Sequence, residues 1–471
     1  MILASAAGDA LGAPYEFKPP VATSQPIAMI GGGGFGWEPG EWTDDTSMAI
    51  VILDQLAKGN RLEGEATQDA IVTAWLRWAS TAPDVGIQTH RVFRYLKKPT
   101  AEAALRSAKQ VHDETGRTAG NGSLMRTGPV AIATLLDEAL TAHNARAISD
   151  LTHFDSDAGD ACVLWCLAIR HAVLTGELDI RVGLPHLSPD ARQRWLRLIE
   201  AAEAGEPHTF ANNGWVVSAF QAAWSAIKLA VDYEAPSNFF DAQRLKLGLE
   251  FAVRAGDDTD TVAAIAGSLL GAKYGASAVP ASWRLLLHGW PGLSANDLTA
   301  RANLAINGGL ADDSGWPGID HFDYATWHDR FELVQHPHDS GLWLGGVGSL
   351  KNLPTEVTAV VSLCRIGTND VPATINARAE VMLIDSDAPS KNLNIDFMFS
   401  DTAAVVKELR DSGHVVFLHC VQAQSRTPSV AITYSVEQLG ISFDTAVTDV
   451  KTTLPLSRIN PLFLKHLERL R

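Results

Sequence analysis

Two short segments that combine carboxylates with hydroxyls are the residues of this sequence best suited to chemistry. They are Thr43-Asp44-Asp45 and Asp258-Thr259-Asp260-Thr261, and each stands just before a run of apolar residues at helical spacing. One explanation is helix capping, because Asp and Thr accept hydrogen bonds from the free N–H groups at the start of a helix. Two such clusters exceed what capping requires, and their carboxylates would repel each other without a cation. Their oxygens suit hard ions such as Mg²⁺, so the pattern favours a metal site.

The segments that must position these clusters have a helical pattern. Between about residue 44 and residue 307, apolar residues recur every three or four positions, and no convincing alternating strand pattern is present. The clearest segments of this kind are residues 66–80, 123–140, 157–175, 214–231 and 259–274. We therefore predict an all-α domain over residues 1–307.

A change of composition separates this part from the remainder of the chain. Residues 308–337 are rich in Gly, Asp, His and aromatic residues, which predicts a linker. Short β-rich runs then alternate with helical patterns. The β-rich runs are residues 342–344, 357–363, 379–384 and 414–418, and the helical patterns are residues 402–412, 428–439 and 442–453. This alternation predicts a multidomain protein whose second domain, residues 338–471, is a small α/β domain with a central, mostly parallel sheet.

The bulk properties exclude several classes of function. The chain has 471 residues and a formal charge of −16, which argues against a nucleic-acid or anionic-membrane surface. Four cysteines are too few for a disulfide scaffold. No apolar run approaches the ~20 residues of a membrane span, and the start of the chain has no basic signal region. We expect a cytoplasmic protein that does not bind a membrane.

Five motifs occur in a fixed order along the first part of the chain. They are Gly8-Asp9-Ala10-Leu11-Gly12-Ala13-Pro14-Tyr15-Glu16, Trp42-Thr43-Asp44-Asp45-Thr46, Gly120-Asn121-Gly122-Ser123-Leu124-Met125-Arg126, Thr152-His153 and Gly256-Asp257-Asp258-Thr259-Asp260-Thr261. This series resembles the ADP-ribosylglycohydrolase family over roughly residues 1–300. The resemblance implies an all-α domain with two Mg²⁺ ions, Mn²⁺ being possible. It also implies cleavage of ADP-ribose from an arginine or serine side chain, or from a small molecule.

The resemblance also implies a role for each matching residue. The implied metal ligands are Thr43, Asp44, Asp45, Asp258, Asp260 and Thr261. The implied ADP-ribose contacts are Asn121, Gly122 and Ser123, with Met125 close behind. Glu16 matches a loop acid that some members use in catalysis, the alternative being an ordinary exposed carboxylate. His153 could contact substrate or could cap the helix that follows it. Asp257 departs from the family, which commonly has glycine there, so this carboxylate could alter metal preference or crowd the substrate ribose.

A second candidate site lies in the predicted α/β domain, between a strand and a helix. The segment His419-Cys420-Val421-Gln422-Ala423-Gln424-Ser425-Arg426-Thr427 separates a cysteine and an arginine by five residues. Such a loop can direct its N–H groups at a phosphate while the arginine binds two phosphate oxygens and the helix start favours a thiolate. Ser425 could contact the phosphate, and either Ser425 or Thr427 could help the thiol to leave.

This segment resembles the dual-specificity type of cysteine-dependent protein tyrosine phosphatase, over roughly residues 338–465. The resemblance implies a phosphorylated substrate, Cys420 as nucleophile and Arg426 as phosphate ligand. It also implies a general acid on an earlier loop, for which Asp387 is the first choice and Asp385 the second, a simple turn being the alternative. Ala423 departs from the family, which usually has glycine there. If this position needs a positive φ, alanine is strained and the domain could bind phosphate without catalysis.

Two hypotheses from different classes follow. In the first, the protein is a hydrolase that removes ADP-ribose from an acceptor and carries a fused phosphatase. In the second, the first domain is a metal-dependent ADP-ribose binding module and the second domain reads phosphate without turnover.

Overall fold

In a computed structural model, which describes residues 1–324 and 331–471, the chain forms two units. The first unit comprises Met1–Phe239, Gln243–Val279 and Leu286–Leu310, and the second comprises Phe240–Ala242, Pro280–Leu285 and Ala311–Arg471. The predicted boundary at residue 307 therefore needs a correction, because two short pieces from earlier in the chain join the second unit. One reason is that the Ala281 N–H donates to Asp401 (2.8 Å) and Arg284 donates to the Glu380 carbonyl (2.9 Å).

The first unit is built from helices, as predicted, with one pair of two-residue strands. The helices up to the second carboxylate cluster are α1 (Ile2–Gly12), α2 (Asp44–Ala57), α3 (Glu65–Ala79), α4 (Ile87–Tyr95), α5 (Ala101–Thr115), α6 (Gly128–Ala133), α7 (Glu138–Asp150), α8 (Ser156–Thr175), α9 (Pro189–Ala204), α10 (Val216–Asp232), α11 (Gln243–Val253) and α12 (Thr259–Tyr274). They are followed by α13 (Ala281–Leu286), which belongs to the second unit except for its last residue, by strands β1 (His288–Gly289) and β2 (Leu293–Ser294), and by α14 (Ala295–Ile306).

The helix predicted over residues 123–140 is wrong, because this segment contains two shorter helices. Pro129 stands in the first turn of α6, where its missing N–H costs nothing, and it cannot occupy a helix interior. The side chain of Asp137 then accepts a hydrogen bond from the Leu140 N–H (2.9 Å) and starts α7. Residues 121–123 form a single 3₁₀ turn in front of α6.

Helix α8 is long and apolar enough to cross a membrane by length and composition alone, and it is the one such helix among the residues described. Within its most apolar stretch, 72% is buried inside the structure. The indole N–H of Trp165 on this helix donates to Ser268 Oγ (2.9 Å) on α12. These contacts are those of a core helix.

Helices α1 and α12 pack with their backbones in contact because glycines on each helix face the backbone of the other. A Cβ atom on Gly8 would overlap the carbonyl of Ala263, and one on Gly12 would overlap the Cα atom of Asp260. In the opposite direction, a Cβ atom on Gly267 would overlap the carbonyl of Ala4. The close approach sets the distance between Asp9 on α1 and Asp260 on α12, and it follows from the absence of side chains at the contact.

The second unit contains a five-stranded mixed sheet in the order β3-β4-β7-β5-β6. The strands are β3 (Leu333–His336), β4 (Asp339–Gly346), β5 (Val357–Ser362), β6 (Ala377–Glu380) and β7 (Val415–Cys420). The helices are α15 (Ile395–Asp411), α16 (Arg426–Thr433), α17 (Phe443–Thr453) and α18 (Pro461–Leu467). Four strands run parallel and β3 is antiparallel to β4, so the predicted mainly parallel sheet is confirmed.

Two predicted boundaries in this unit need correction. Strand β3 lies inside the predicted linker, because residues 333–336 pair with β4 through a turn; residues 325–330 of that linker lie outside the described part of the chain. The helix predicted over residues 428–439 begins earlier, at Arg426, and continues after Thr433 as a π-helical turn, Tyr434–Gln438.

We predict that Gly8→Ala destabilises the first unit by ~1–3 kcal/mol or more, since the added methyl must push α1 away from α12. Thermal unfolding measures the loss. The matched control is Gly34→Ala, where the nearest atom to the added Cβ is Phe17 Cδ2 at 3.9 Å. Equal melting temperatures for Gly8→Ala and the wild type would contradict the proposed packing.

Candidate functional site

The carboxylates of the first unit converge where α1, α2 and α12 meet. One carboxylate oxygen from each of Asp9, Asp45 and Asp260 lies within 4.8 Å of the others. A second group with the same spacing consists of Glu16, Asp258 and Asp260. Asp260 is shared, so the two groups form one continuous cluster.

The hydroxyls predicted as ligands lie in the same place. Thr43 Oγ1 is 3.2 Å from an oxygen of Asp45 and 3.4 Å from an oxygen of Asp260, and it is also 3.4 Å from Asp44 Oδ1. Thr261 Oγ1 is 3.3 Å from Asp45 Oδ2. The structure thus brings together the residues that the sequence suggested as ligands.

Helix capping does not explain these clusters. Thr43 and Asp258 occupy the N-cap positions of α2 and α12, yet neither side chain makes a capping hydrogen bond. Asp9 performs that task for α2 instead, because its two oxygens accept the N–H groups of Thr43 (2.9 Å) and Thr46 (3.0 Å). Sequence reasoning did not assign Asp9 a role, although it stands in the first of the five motifs.

Burial and mutual repulsion make this cluster electrostatically unfavourable. Burial, and secondly the charges of neighbouring carboxylates, raises the pKa of Asp44, Asp45 and Asp260 well above the ordinary value of a carboxyl group. The same two causes raise the pKa of Glu16 to about 9. Burial raises the pKa of Asp9 to about 6, although hydrogen bonds to it act in the opposite direction.

A cavity of about 480 Å³ opens over the cluster. Of the predicted substrate contacts, Asn121, Gly122, Met125 and His153 line it. Ser123 does not line the cavity, so the prediction that it contacts ADP-ribose needs a correction. Its side chain is buried beneath the cavity, where Cys162 Sγ lies 3.6 Å from its hydroxyl.

Asn121 is tied to the second carboxylate cluster. Its side-chain N–H₂ donates to Asp258 Oδ2 (2.7 Å) and to the carbonyl of Asn213 (2.9 Å). Asn213 is buried and was missed by sequence reasoning. Its side chain accepts from the Asp258 N–H (2.9 Å) and donates to the Gly256 carbonyl (2.8 Å), so it holds the turn before α12. The sequence offers no signal for this role beyond a turn-like Asn-Asn-Gly.

His153 lies against the glycine-rich turn and does not cap a helix. Asp155 caps α8. A Cβ atom on Gly120 would lie 3.3 Å from His153 Nε2, and one on Gly122 would lie 3.2 Å from the same atom. Burial, followed by the charge of Arg126, lowers the pKa of His153 well below its ordinary value, so the ring is neutral.

Arg126 is the fully buried residue that joins these motifs. Its guanidinium donates to the carbonyl of Gly122 (2.9 Å) and to Thr152 Oγ1 (2.5 Å), and it stacks over the Trp75 ring at 4.3 Å. It therefore holds the turn before α6 and the segment of His153 in one arrangement. Like Asp9, it stands in a motif but was given no role from the sequence.

The loop that carries Glu16 is held by Asp257. Glu16 is buried, so the alternative of an exposed loop carboxylate is wrong. The Phe17 N–H donates to the Asp257 carbonyl (2.7 Å), and the Asp257 N–H donates to the Lys18 carbonyl (2.9 Å). Asp257 has a φ of 57°, which explains why glycine suits this position, and its side chain is exposed. It does not line the cavity, which corrects the expectation that it crowds the ribose.

Three charged residues without a role in the sequence motifs also line the cavity: Asp84, Arg91 and Arg117. Burial, and secondly the charge of Asp258, raises the pKa of Asp84. Arg91 lies one turn after Gln88 on α4, and Gln88 donates to the carbonyls of Thr118 (2.8 Å) and Thr152 (3.0 Å). The cavity therefore has basic as well as acidic walls.

In the second unit, the cysteine and arginine occupy the ends of one loop. Cys420 is buried and unpaired at the end of β7, the middle strand of the sheet, and Arg426 begins α16. The Arg426 guanidinium donates to the carbonyls of Leu363 (3.1 Å) and Leu383 (3.0 Å). Ser425 Oγ accepts the Asn460 N–H (3.1 Å), which supports the loop from behind.

The two aspartates considered as a general acid, Asp387 first and Asp385 second, differ in their distance from known partners of the loop. Asp385 Oδ2 lies 3.9 Å from Arg426 Nε, because Asp385 follows the carbonyl of Leu383 that binds the same guanidinium. Both aspartates are exposed, and Asp387 lies on the turn that Ser386 Oγ makes with the Ala388 N–H (3.1 Å). The contact with Arg426 distinguishes Asp385, the second choice, from Asp387, the first.

Comparisons with known proteins decide the family of the first unit. Residues 1–313 match the family model described as ADP-ribosylglycohydrolase. The chain belongs to the ADP-ribosylglycohydrolase family. It is 31% identical over 292 residues to the ADP-ribosylarginine hydrolase Tri1 of Pseudomonas putida (strain GB-1), which covers 60% of this chain and 71% of the relative. The Tri1 of Serratia proteamaculans (strain 568) is 29% identical over 286 residues, covering 59% of this chain and 71% of the relative.

Among solved structures, one that matches part of the chain is that of a variant of human DUSP28 with one tyrosine replaced by histidine. It is 23% identical and covers 29% of this chain and 92% of the solved chain, with a TM-score of 0.26.

The ADP-ribosylglycohydrolase family depends on metal, and the cluster in this chain fits a cation. Asp45 Oδ1 and Glu16 Oε2 are buried without a hydrogen-bond partner among the described residues. Such oxygens are costly in a protein interior unless a cation or a proton binds them. The donor set is entirely oxygen, which is the chemistry of hard divalent ions.

Proposed function

We propose that the first unit is a Mg²⁺-dependent hydrolase, in which Mn²⁺ can substitute, that releases ADP-ribose from an acceptor. The observation that carries this proposal is the pair of carboxylate groups that share Asp260, buried at the floor of a cavity of about 480 Å³. The relatives named above are hydrolases of ADP-ribosylarginine, which supports the same class of reaction here. The acceptor is a protein side chain, such as arginine or serine, or a small molecule.

The residues divide the work of glycosidic cleavage among them. Two ions would be held by the residues that the sequence predicts as ligands, namely Thr43, Asp44, Asp45, Asp258, Asp260 and Thr261. When bound, such ions supply contacts to ribose hydroxyls and lower the pKa of a water molecule. Glu16, beside Asp258 and Asp260, is the carboxylate placed to accept a proton from the attacking water. Asn121 holds Asp258 in position through its 2.7 Å hydrogen bond.

The remaining cavity walls fit the rest of ADP-ribose. Gly122 and the neutral ring of His153 pack closely together in the cavity wall and would contact the ribose and phosphates. Arg91 and Arg117 supply the positive charge that a diphosphate requires, in a chain whose overall charge is −16.

The test is release of free ADP-ribose from ADP-ribosylated arginine and serine peptides, with Mg²⁺ or with chelator. We expect Glu16→Gln to lower kcat by about 10²-fold or more while free ADP-ribose still binds, because the variant loses a proton acceptor. Glu234→Gln, an exposed carboxylate outside the site, is the matched control. Binding of ADP-ribose by the wild type without release from any linkage would instead support the binding-module hypothesis.

We propose that the second unit binds phosphate monoesters and hydrolyses them slowly. The Cys420 thiolate would attack phosphorus and form an S–P bond as the ester P–O bond breaks, while Arg426 holds two phosphate oxygens and Asp385 protonates the leaving oxygen. Water would then attack phosphorus and break the S–P bond, giving its proton to Asp385 and releasing inorganic phosphate and the Cys420 thiolate. We expect slow hydrolysis because Ala423, within the phosphate loop, has a φ of 56°, in the left-handed region where a residue with a Cβ atom is strained. In the first unit, Asp257 has a similar φ of 57° and likewise occupies a position that favours glycine.

We predict that Ala423→Gly raises the turnover of p-nitrophenyl phosphate, because glycine adopts this φ without strain. Cys420→Ser should abolish turnover, and Asp385→Asn should lower kcat more than Asp387→Asn does. Steady-state kinetics of the full chain checks each change. Turnover that survives in Cys420→Ser would show that another group is the nucleophile, and phosphate binding without turnover in all variants would identify a phosphate reader.

A further inference from the structure

Two of the four cysteines stand at the ends of neighbouring strands in the second unit. Cys420 is the last residue of β7, and Cys364 stands two residues after the end of β5. Both are buried and neither is in a disulfide bond. Cys364 has no part in the proposed phosphate chemistry, so this chemistry does not explain a second thiol beside the nucleophile.

The strand register determines how far apart these two residues are. Ser362 on β5 is the partner of His419 on β7, and the two strands are parallel. The ladder continues for one more residue, because the Leu363 N–H donates to the His419 carbonyl (2.8 Å). Leu363 is therefore opposite Cys420, and Cys364 is offset from Cys420 by one residue.

This offset suits a disulfide bond. Neighbouring strands lie about 4.8 Å apart and a strand advances about 3.3 Å per residue, so the two Cα atoms are about 6 Å apart. Disulfide bonds join residues whose Cα atoms are separated by roughly 4.4–6.8 Å. Val421, which follows Cys420, packs in the same apolar cluster as Cys364. The end of β7 and the residues after β5 thus belong to one packed region.

Arg426 acts electrostatically on Cys364 as well as on Cys420. Its guanidinium donates to the carbonyl of Leu363 (3.1 Å), in the peptide bond that precedes Cys364. Burial raises the pKa of the Cys364 thiol to about 12, while the charge of Arg426 acts in the opposite direction and negative charge on Cys420 raises this pKa further. A thiolate at Cys420 therefore keeps Cys364 protonated. When Cys420 becomes a neutral group, that repulsion disappears while Arg426 remains, so Cys364 loses its proton more easily.

Resting on the proposed role of Cys420 as a thiolate nucleophile, we infer that Cys364 is a resolving thiol, which forms a reversible disulfide bond with Cys420 when hydrogen peroxide oxidises the nucleophile. In the first step, the Cys420 thiolate attacks one oxygen of the peroxide, and an S–O bond forms as the O–O bond breaks and hydroxide leaves. In the second step, the Cys364 sulfur attacks the Cys420 sulfur. The S–S bond forms as the S–O bond breaks, and the hydroxyl group leaves with the Cys364 proton as water. The two cysteines are oxidised, and the peroxide is reduced to water and hydroxide.

The disulfide bond changes the chemistry of the second unit in a reversible way. It removes the thiolate that would attack phosphorus, and a thiol reductant restores both cysteines by exchange. It also prevents oxidation of Cys420 to sulfinic acid, which thiols do not reverse. A cysteine that is reactive because it is a thiolate is also the cysteine most exposed to peroxide chemistry, so a resolving thiol protects it.

The test oxidises the full chain with hydrogen peroxide and analyses its peptides by mass spectrometry without reduction. We expect a linked pair of peptides that contain Cys364 and Cys420, which dithiothreitol separates. Cys364→Ala should give no linked pair and should accumulate Cys420 as sulfinic acid. Cys166→Ala, at a buried cysteine of the first unit, is the matched control and should behave as the wild type does.

Recovery of p-nitrophenyl phosphate turnover gives a second readout. After oxidation and then reduction, the wild type should regain most of its turnover, whereas Cys364→Ala should regain about tenfold less. If Cys364→Ala does not fold, Cys364→Ser takes its place, and the linked peptides of the wild type are decisive in either case. Equal recovery in the wild type and the variant would overturn the inference. So would wild-type protein in which Cys420 is sulfinic acid while Cys364 is still a free thiol.

These measurements keep the inference distinct from the proposed phosphatase function. Linked peptides from a chain that does not turn over p-nitrophenyl phosphate support the pairing of the two cysteines and contradict only the phosphatase. An active phosphatase whose oxidised form contains no disulfide bond between Cys364 and Cys420 contradicts the inference alone.

Discussion

The burial of several negative charges in one place is the constraint on which the first unit depends. Three helices, α1, α2 and α12, bring Asp9, Asp45 and Asp260 within 4.8 Å, and the lack of side chains at the glycine contacts allows α1 and α12 to approach this closely. The packing of the apolar core can force these carboxylates together, but their mutual repulsion still destabilises the fold, and a bound cation would offset it. At Asp9 the repulsion is partly offset by hydrogen bonds, because the N–H groups of Thr43 and Thr46 at the start of α2 donate to its carboxylate.

Loops complete what the helices begin. The loop of Glu16 is fixed through Asp257, and the turn of Asp258 is fixed through Asn213, so a residue outside the two metal-binding groups positions each of these two carboxylates. Two of the residues that depart from glycine in the motifs, Asp257 in the first unit and Ala423 in the second, have a left-handed φ next to a candidate site. In the first unit the exposed side chain of Asp257 leaves the cavity free. In the second unit, Ala423 lies within the phosphate loop itself. We therefore expect Ala423 to slow phosphate hydrolysis, whereas Asp257 does not obstruct the cavity of the first unit.

Much of this arrangement could be predicted from the sequence, because helical periodicity and ordered motifs are local signals. The spans of α8, α10 and α12 and the gathering of Thr43 with Asp260 followed from them. Asn213 and Asp84 could not be found in this way, since their roles arise from contacts between residues far apart in the chain. The helix predicted over residues 123–140 failed for a local reason, as Pro129 and Asp137 mark helix starts that periodicity alone overlooks. The proposal of Asp385 rather than Asp387 depends on its contact with Arg426, which the sequence does not reveal.

If a divalent cation offsets the repulsion among these carboxylates, its effect on the stability of the fold must depend on pH. Without a cation, the pKa values of Asp9 (about 6) and Glu16 (about 9) are raised above those of the unfolded chain. Raised carboxyl pKa values mean that stability is present at low pH and is lost as pH rises from about 4 through these values. The measurement is the thermal midpoint of chelator-treated protein and of Mg²⁺-loaded protein, at about pH 5.5 and about pH 8.5. We predict that Mg²⁺ raises the midpoint much more at the higher pH; an equal effect at both values, or none, would contradict the account.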